Sequence, residues 1–409
     1  MRVAFVVNDL ALSGGIGVIV QHARQLLHHG IQAHLVLARE QEEETWRYDS
    51  LVHLPVLSLE AARAERWDIV VATWWETAHA AFTLEADRHA YFVQSLEDRF
   101  YRPDEPDRIG AAITLDLPVA FITEARWIAE TLRELRPDAP VHFVRNGIDK
   151  ADFPLVDGVE PRVEGPLRIL VEGYTSVWFK HVPEAIEAAA MMAEPRHVTV
   201  VSPERAELED APVNSIIGPL THREMADAYA QSDVLLKLSA VEGMFGPPLE
   251  AFHRGATAVV TPVTGHEEYI EHGFNALVCD WDDLRGTARL LDLLARDRRL
   301  LHRLRTNALH TARAWPTWEQ SGEFMAAALR AIHRAPPPSP QRAALAALAD
   351  VRAGVEAHRV YLAERDEYAR KIERVERITK QPVVARLLAQ RQRRGLRRLL
   401  ALGKRLLSR

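Results

Sequence analysis

The sequence predicts an α/β protein with two doubly wound domains that face a cleft, followed by a helical C-terminal extension. Three observations support this prediction. Short apolar runs alternate with helical patterns from residue 2 to residue 316, as expected for parallel sheets covered by helices on both faces. A segment of acids, glycine and proline at residues 157–166 divides this alternation into two halves. The proline-rich residues 336–340 end it, and a charged, helix-prone stretch follows.

Length and composition indicate a globular protein with room for about two domains. The chain has 409 residues, of which 47% are hydrophobic and 26% are charged. The single cysteine, Cys279, excludes an internal disulfide and a thiolate metal site, so a cytoplasmic location is expected. The apolar run at residues 3–7 is too short for a signal peptide, and no run approaches the roughly 20 apolar residues of a membrane span.

The first half begins with a buried strand at residues 2–7. The glycine-containing residues 13–17 come next, and a helix with Ile19, Ala23 and Leu26 on one face runs to Gly30. This glycine pattern alone is only weak support for a nucleotide-binding fold. The remaining predicted elements of this half are strands at 33–37, 68–73, 91–93 and 119–123 and a helix at 59–66.

The second half repeats the alternation after the linker, so the two halves are predicted to be two Rossmann-like domains. Ligands of such sheets bind beyond the carboxyl ends of the strands, which places the expected site in the cleft. The predicted strands are 167–171, 197–201, 233–238, 256–260 and 276–279, and the predicted helices are 183–193, 222–232, 247–253, those across 283–314, and 317–333.

The stretch from Glu242 to Glu250, which reads E-G-M-F-G-P-P-L-E, indicates the chemistry. Gly243 and Gly246 allow the backbone to approach a ligand closely, and the two prolines suit the start of a helix. Free loop amides at a helix N-terminus are a site for phosphate. Either glutamate alone is usually solvated or complements the helix dipole. Two carboxylates beside a phosphate site, however, are typical of a nucleotide-sugar site, with Glu250 in the first helical turn.

Residues 242–250 resemble the E-x7-E signature of the retaining family 4 glycosyltransferases, which have the GT-B fold. Three other stretches are similar to patterns of that family: residues 146–149 with Phe153, residues 265–270 and residues 273–278. The resemblance implies an N-terminal acceptor domain at 1–160 and a nucleotide-sugar domain at 161–316. A helix at 317–334 would cross back to the first domain, and 335–409 would form a proline-rich linker and a basic amphipathic tail.

The same resemblance implies roles for individual residues. Glu242 would bind the hydroxyls of the donor sugar, Glu250 those of the ribose, and Lys180 would neutralise the diphosphate. Glu242 and Lys180 are the expected catalytic residues. No metal and no cofactor is expected, because the family acts without them. The expected donor-binding residues are Gly14, Gly15, Gly173, Tyr174, Gly243, Met244, Phe245, Gly246 and Glu250.

The chain departs from the family pattern at two donor-side positions. The family's second domain opens G-R-x-x-x-x-K, but here Tyr174 follows Gly173 and Lys180 stands one residue later than usual. The arginine function is therefore lost unless Arg168 or Arg145 replaces it. Gly246 also lies one place later than the family's glycine, which shifts the phosphate-contacting amides.

On the acceptor side, many family members carry a histidine where this chain has Gln94. A glutamine there resembles a branch that acts on deoxysugars, including rhamnosyltransferases. Glu97 and Asp98 follow closely and are candidates for contacting the acceptor. The run Asp280–Asp283 contains a D-x-D, which holds a metal in other glycosyltransferases, but capping of the helix that begins at Leu284 is the preferred interpretation.

The predicted function is a hexosyl or deoxyhexosyl transfer from a nucleotide-sugar to a carbohydrate or lipid-linked acceptor hydroxyl, in cell-surface polysaccharide or glycoconjugate synthesis. One alternative of the same fold is an epimerase or a glycogen-type synthase. A second is a nucleotide-sugar-binding or scaffold protein with weakened catalysis, which Tyr174 and Gln94 favour. A dehydrogenase is disfavoured, because the complete G-x-G-x-x-G with its ribose-binding acid is missing.

The C-terminal residues 380–409 hold eight arginines, two lysines and no acid. Leucines at helical spacing favour an anionic membrane surface, at the inner face of the membrane, over nucleic acid or an acidic partner, since only a bilayer offers an apolar phase to a leucine stripe. Docking on the acidic body of the protein and self-association remain open. The apolar positions are Val384, Leu387, Leu388, Leu396, Leu399, Leu400, Leu406 and Leu407.

Overall fold

A computed structural model describes residues 1–10, 13–39 and 54–337, together with a few helical residues between 354 and 374. The chain divides into two units, residues 1–350 and residues 351–409. The first unit contains two parallel sheets. In the second unit the described residues are helical, and Tyr361, Tyr368 and Ile372 are exposed. The basic tail predicted at residues 380–409 lies outside the described residues.

The first sheet has seven parallel strands in the order β3-β2-β1-β4-β5-β6-β7. Its interior strands are runs of apolar residues, as expected for a sheet buried on both faces. The strands are Arg2–Val7 (β1), Gln32–Leu37 (β2), Val56–Ser58 (β3), Trp67–Ala72 (β4), Ala86–Val93 (β5), Ala120–Thr123 (β6) and Val141–Phe143 (β7). The helices are Gly14–His28 (α1), Leu59–Arg63 (α2), Trp75–Ala81 (α3), Asp107–Ile113 (α4) and Arg126–Leu135 (α5).

The second sheet has six parallel strands in the order β10-β9-β8-β11-β12-β13. The strands are Leu167–Glu172 (β8), Arg196–Val201 (β9), Ser215–Ile217 (β10), Val234–Lys237 (β11), Thr257–Val260 (β12) and Leu277–Val278 (β13). The helices are Val182–Ala190 (α6), His222–Ala230 (α7), Gly246–His253 (α8), Leu284–Arg296 (α9) and Arg298–Ala314 (α10). The predicted fold class, with two doubly wound α/β halves, is therefore confirmed.

Helix Trp318–Arg334 (α11) follows the second half in sequence but packs on the first. A capping box begins it, in which the Thr317 hydroxyl accepts from the Gln320 amide and the Gln320 side chain accepts from the Thr317 amide. Its buried Met325 and Leu329 belong to the same hydrophobic cluster as residues of α1 and β1. The chain thus returns to the first sheet before residue 335.

The carboxyl ends of the two sheets face each other. Both the segment after β5 and the segment after β6 contact the loop between β11 and α8. The Ser95 hydroxyl donates to the Glu242 carbonyl, and the Met244 amide donates to Glu124. The two halves therefore meet at the edge where ligands of parallel sheets bind.

Candidate active site

The loop between β11 and α8 brings Glu242 to the edge of the second sheet. Its side chain is largely buried, with 8% of the residue exposed. Lys180 lies in a single 3-10 turn, Trp178–Lys180, that follows β8. The Lys180 Nζ is 2.8 Å from the Glu242 Oε1, so the structure brings together the two residues predicted to be catalytic.

The electrostatics of this pair favour an ionised Glu242. Burial alone would raise the pKa of its carboxyl, but the positive charges of Lys180 and Lys237 outweigh that effect and leave the pKa lowered. The carboxylate is therefore charged at neutral pH. An ionised carboxylate accepts hydrogen bonds from sugar hydroxyls and cannot act as a general acid.

Lys237, at the end of β11, was not singled out from the sequence. It is 3% exposed and makes a short ion pair with Glu172 at the end of β8. Burial lowers the pKa of its amine, yet Glu172 and Glu242 outweigh burial and raise it. A lysine at the end of an otherwise apolar strand is the signal that could have revealed it, because a buried lysine requires a paired acid.

Glu250 lies on α8 beside the same group of charges. The helix begins at Gly246, so Glu250 stands in the second turn, and the prediction of the first turn is wrong. The Tyr229 hydroxyl donates to its Oε2 at 3.3 Å. Burial, reinforced by the negative charge of Glu172, raises the pKa of Glu250 to about 7. The two signature glutamates thus differ in charge near neutrality.

The two signature glycines occupy different surroundings. A Cβ on Gly243 would lie 1.8 Å from the Gln94 carbonyl oxygen, so only glycine fits against the first half of the unit. A Cβ on Gly246 would meet no atom within 4 Å. Phe245 is fully buried, and its carbonyl accepts a short hydrogen bond from Tyr269. Gly243 is therefore needed for contact between the halves.

The first glycine segment lies opposite this loop. Ser13 caps α1 by accepting from the Ile16 amide at 3.2 Å, so the helix begins at Gly14. The prediction of a glycine loop before the helix is corrected, because both glycines belong to the first helical turn. A Cβ on Gly15 would touch the Gln94 Oε1 at 3.4 Å, while Gly14 faces open space.

The turn after β8 holds the next two predicted donor residues. Gly173 has a φ of 137°, which favours glycine, and a Cβ there would lie 3.1 Å from Val182. Tyr174 is 43% exposed. The hydroxyls of Thr175 and Ser176 both donate to Glu204, which fixes the turn. Tyr174 thus leaves a phenol where the family pattern has a cation.

Neither arginine considered as a replacement reaches this turn. Arg168 lies at the start of β8, the opposite edge of the sheet, and its guanidinium pairs with the buried Asp233 at 3.2 Å. Arg145 stacks on Trp315, with its guanidinium carbon 4.8 Å from the ring centroid, and lies 3.6 Å from Glu268. The positive charges that lower the pKa of Glu242 come from Lys180 and Lys237 instead.

The candidate acceptor residues follow β5. Gln94 contacts both Gly15 and Gly243, which places it between the halves. Glu97 is 4% exposed, accepts from the Tyr91 hydroxyl at 2.8 Å, and has its pKa raised to about 8 by burial. Its contacts are thus internal to the first half. Asp98 is less buried, and burial raises its pKa, although Arg108 lies 3.9 Å away.

Comparison with known proteins decides the family of this region. Residues 205–311, which include the signature loop and α8, match the family Glycosyl transferases group 1. The chain carries a group 1 glycosyltransferase segment. The family resemblance inferred from residues 242–250 is thereby confirmed. Comparison with curated protein sequences finds no match.

Solved structures show the same fold. HepE from Anabaena, in complex with UDP and glucose, has a TM-score of 0.65 and 15% identity, covering 81% of this chain and 100% of HepE. Sucrose-phosphate synthase from Thermosynechococcus elongatus has a TM-score of 0.65 and 13% identity, covering 81% and 98%. WaaG, a glycosyltransferase of lipopolysaccharide biosynthesis, has a TM-score of 0.61 and 14% identity, covering 81% and 100%. The chain therefore has the predicted GT-B fold.

The acidic run after β13 has a structural role. Asp283 caps α9, and its Oδ1 accepts from the Gly286 amide at 2.7 Å, as the capping interpretation predicts. Within the described ranges, Asp68, Asp87 and His333 are close enough to share an ion, but Asp68 and Asp87 lie at the amino ends of β4 and β5, away from the signature loop. Of the helices described, none is long and apolar enough to cross a membrane.

Proposed function

We propose that this glycosyltransferase transfers a sugar from a nucleotide-sugar to an acceptor hydroxyl with retention of configuration. The Lys180–Glu242 pair carries the proposal, since it lies at the carboxyl edge of the second sheet, where such folds bind nucleotides. Glu250 lies in the second turn of α8, near the same edge of the sheet. The arrangement offers a cation for phosphate and two carboxylates for hydroxyls.

The chemistry rests on stabilising the charge that develops on the leaving diphosphate. The Lys180 ammonium has three donors, so it can keep one hydrogen bond to Glu242 and still donate to phosphate oxygens. The N-terminus of α8 adds a partial positive charge, and preorganised charges of this kind act strongly in a site from which water is excluded. Glu242 binds the hydroxyls of the donor sugar, and Glu250 binds the ribose. The transfer needs no metal ion in this proposal.

The identity of the donor is narrowed by analogy. HepE is described with UDP and with UDP-glucose, which makes uridine nucleotides the first probes for this chain. We propose a carbohydrate or lipid-linked acceptor in cell-surface polysaccharide or glycoconjugate synthesis, and a hexose or deoxyhexose as the sugar. Gln94, between the halves, stands where many family members have a histidine. A glutamine there resembles the branch that acts on deoxysugars, which favours a sugar such as rhamnose.

A thermal-shift screen of nucleotide-sugars on the full chain tests the proposal, because a ligand that binds only the folded state raises the melting temperature. The nucleotide-sugar with the largest shift is then incubated with the protein, and release of free nucleoside diphosphate is measured. A shift accompanied by release supports the enzyme. No shift with any nucleotide-sugar would contradict the proposal.

The second candidate, a nucleotide-sugar-binding or scaffold protein, is favoured by one observation. Tyr174 replaces the family's arginine, and neither Arg168 nor Arg145 lies near it, so the site has fewer cations for a diphosphate. A large thermal shift without release of nucleoside diphosphate, with and without carbohydrate acceptors, would favour this candidate.

A further inference from the structure

Three side chains of the first half hold consecutive backbone groups of the signature loop. The Ser95 hydroxyl donates to the Glu242 carbonyl at 3.3 Å, and the Trp127 Nε1 donates to the Gly243 carbonyl at 3.0 Å. The Met244 amide in turn donates to the Glu124 Oε1 at 3.2 Å. The backbone groups of residues 242–244 therefore find their hydrogen-bond partners in the first half of the unit.

Glu124 is itself held firmly in place. It directly follows β6 and is 6% exposed. Its second oxygen, Oε2, accepts from the Asn146 Nδ2 at 2.6 Å, and the Asn146 Oδ1 lies 3.1 Å from the His22 Nε2. A buried chain of polar groups thus runs from α1 through the connector between the halves to the signature loop. Both carboxylate oxygens of Glu124 are engaged as acceptors.

A neutral acceptor would hold the Met244 amide less strongly than the carboxylate of Glu124 does. A buried amide that loses its acceptor is costly, and hydrogen bonds to a charged acceptor are roughly twice as strong as neutral ones. Burial raises the pKa of Glu124 to about 7, with the Asn146 and Met244 hydrogen bonds opposing that rise. His22 has its pKa lowered to about 4 by burial, so its ring is neutral and adds no charge to the chain.

We propose that Glu124 is a positioning residue, which fixes the Met244 amide and thereby keeps Glu242 against Lys180 when the two halves are together. The proposal deepens the proposed function and rests on it for any effect on turnover. The hydrogen bonds of Glu124 go to the Met244 amide and to Asn146 rather than to the Glu242 carboxylate or the Lys180 amine, so it positions Glu242 through the loop backbone. Ser95 and Trp127 donate hydrogen bonds to the carbonyls of Glu242 and Gly243, and so help to fix the same loop.

Hydrogen–deuterium exchange of the ligand-free full chain tests the proposal without reference to activity. Replacing Glu124 with Ala removes the acceptor, and exchange of a peptide covering 242–246 is expected to accelerate about tenfold. Glu124→Gln keeps one acceptor oxygen for the Met244 amide, but that acceptor is neutral, so it should restore part of the protection. Glu130→Ala, at an exposed position on the following helix α5, is the matched control and should behave like the wild type.

Two exchange results would overturn the proposal. One is unchanged exchange of 242–246 in Glu124→Ala. The other is acceleration spread equally over β1 and β8, which would show that Glu124 only supports the fold. Protection lost at 242–246 and kept in both strands is the predicted result.

Turnover supplies the second measurement, with the UDP-sugar that binds best as the probe. Glu124→Ala should lower kcat about tenfold and leave the donor KM within about threefold, because the donor is bound mainly by the second half. Equal kcat in the variant and the wild type would overturn the proposal. If the wild type itself shows no turnover, the proposed function fails, while the exchange result still decides the role of Glu124.

Discussion

The Lys180 Nζ and the Glu242 Oε1 are 2.8 Å apart, and the two residues come from turns that follow different strands of the second sheet. β8 and β11 are neighbours in that sheet, which is why residues 62 positions apart meet at one edge. The pair is only partly exposed, so its charges interact more strongly than they would in water. Its neighbours Glu172, Lys237 and Glu250 extend the charged group beneath the signature loop.

Replacing Glu250 with Ala is expected to weaken binding of UDP. The carboxylate is predicted to accept from the ribose, and a hydrogen bond to a charged group contributes on the order of 1.5–3 kcal/mol. Because the pKa of Glu250 is about 7, calorimetry at about pH 8 measures the ionised form. Glu187→Ala, at an exposed position on α6, is the control. Equal affinity in Glu250→Ala and the wild type would remove Glu250 from the site.

Gly243→Ala is expected to abolish turnover of the UDP-sugar without unfolding the protein. The new Cβ would stand 1.8 Å from the Gln94 carbonyl oxygen, so the two halves cannot approach as they do here. Gly158→Ala, at an exposed position between the two halves of the sequence, is the matched control, because its Cβ would meet no atom within 4 Å. Similar kcat values for the two variants would show that the contact with Gln94 is unimportant.

Glu97→Gln is expected to stabilise the protein in alkaline solution. Burial raises the pKa of Glu97 to about 8 in the folded chain, from 4.5. The stability that its carboxyl contributes is therefore complete below about pH 4.5 and is lost as the pH rises through about 8. Gln cannot ionise, so the variant should exceed the wild type by on the order of 2 kcal/mol at about pH 9 and by little at about pH 5.

Urea unfolding at the two pH values measures this difference. Glu134→Gln, at an exposed position on α5, serves as the control for a change of net charge. A stability difference between Glu97→Gln and the wild type that does not change with pH would contradict the assigned protonation behaviour.

The C-terminal tail is expected to bind anionic membranes. Its arginines and leucines at helical spacing can satisfy both the charge and the apolar phase of a lipid surface, and each basic residue contributes about 1 kcal/mol. Flotation with anionic liposomes should recover the full chain but not a 1–340 truncation. High salt should reduce the recovered fraction. Equal recovery of both proteins, or recovery of neither, would show that the tail is no anchor.

Much of the fold could be predicted, because apolar runs and helix signals are local features of the sequence. The buried strand β1 was predicted at its observed bounds, and α8 within one residue. The short strands β3, β7 and β10 were missed, since each has only three residues and lacks a periodic pattern. All three are edge strands, so each forms only by pairing with the one strand beside it.

The site was predicted less completely, because its charge balance depends on residues that are distant in sequence. The roles expected of Glu242 and Lys180 followed from the family resemblance, but their contact was not predicted. Lys237 and Glu172 emerge only when β8 and β11 lie side by side. Glu124 could not be predicted either. It meets the signature loop through a contact between the halves, and no local pattern encodes that contact.

The most direct test of the proposed transferase is the rate at which a UDP-sugar releases UDP in the presence of a carbohydrate acceptor. Replacing Glu242 with Gln is expected to lower kcat by about a hundredfold, with a smaller change in the affinity for UDP, if its charge acts mainly in the transition state. Added chelator should leave the wild-type rate unchanged. Equal rates for Glu242→Gln and the wild type, or a wild-type rate that needs manganese after chelation, would contradict this account.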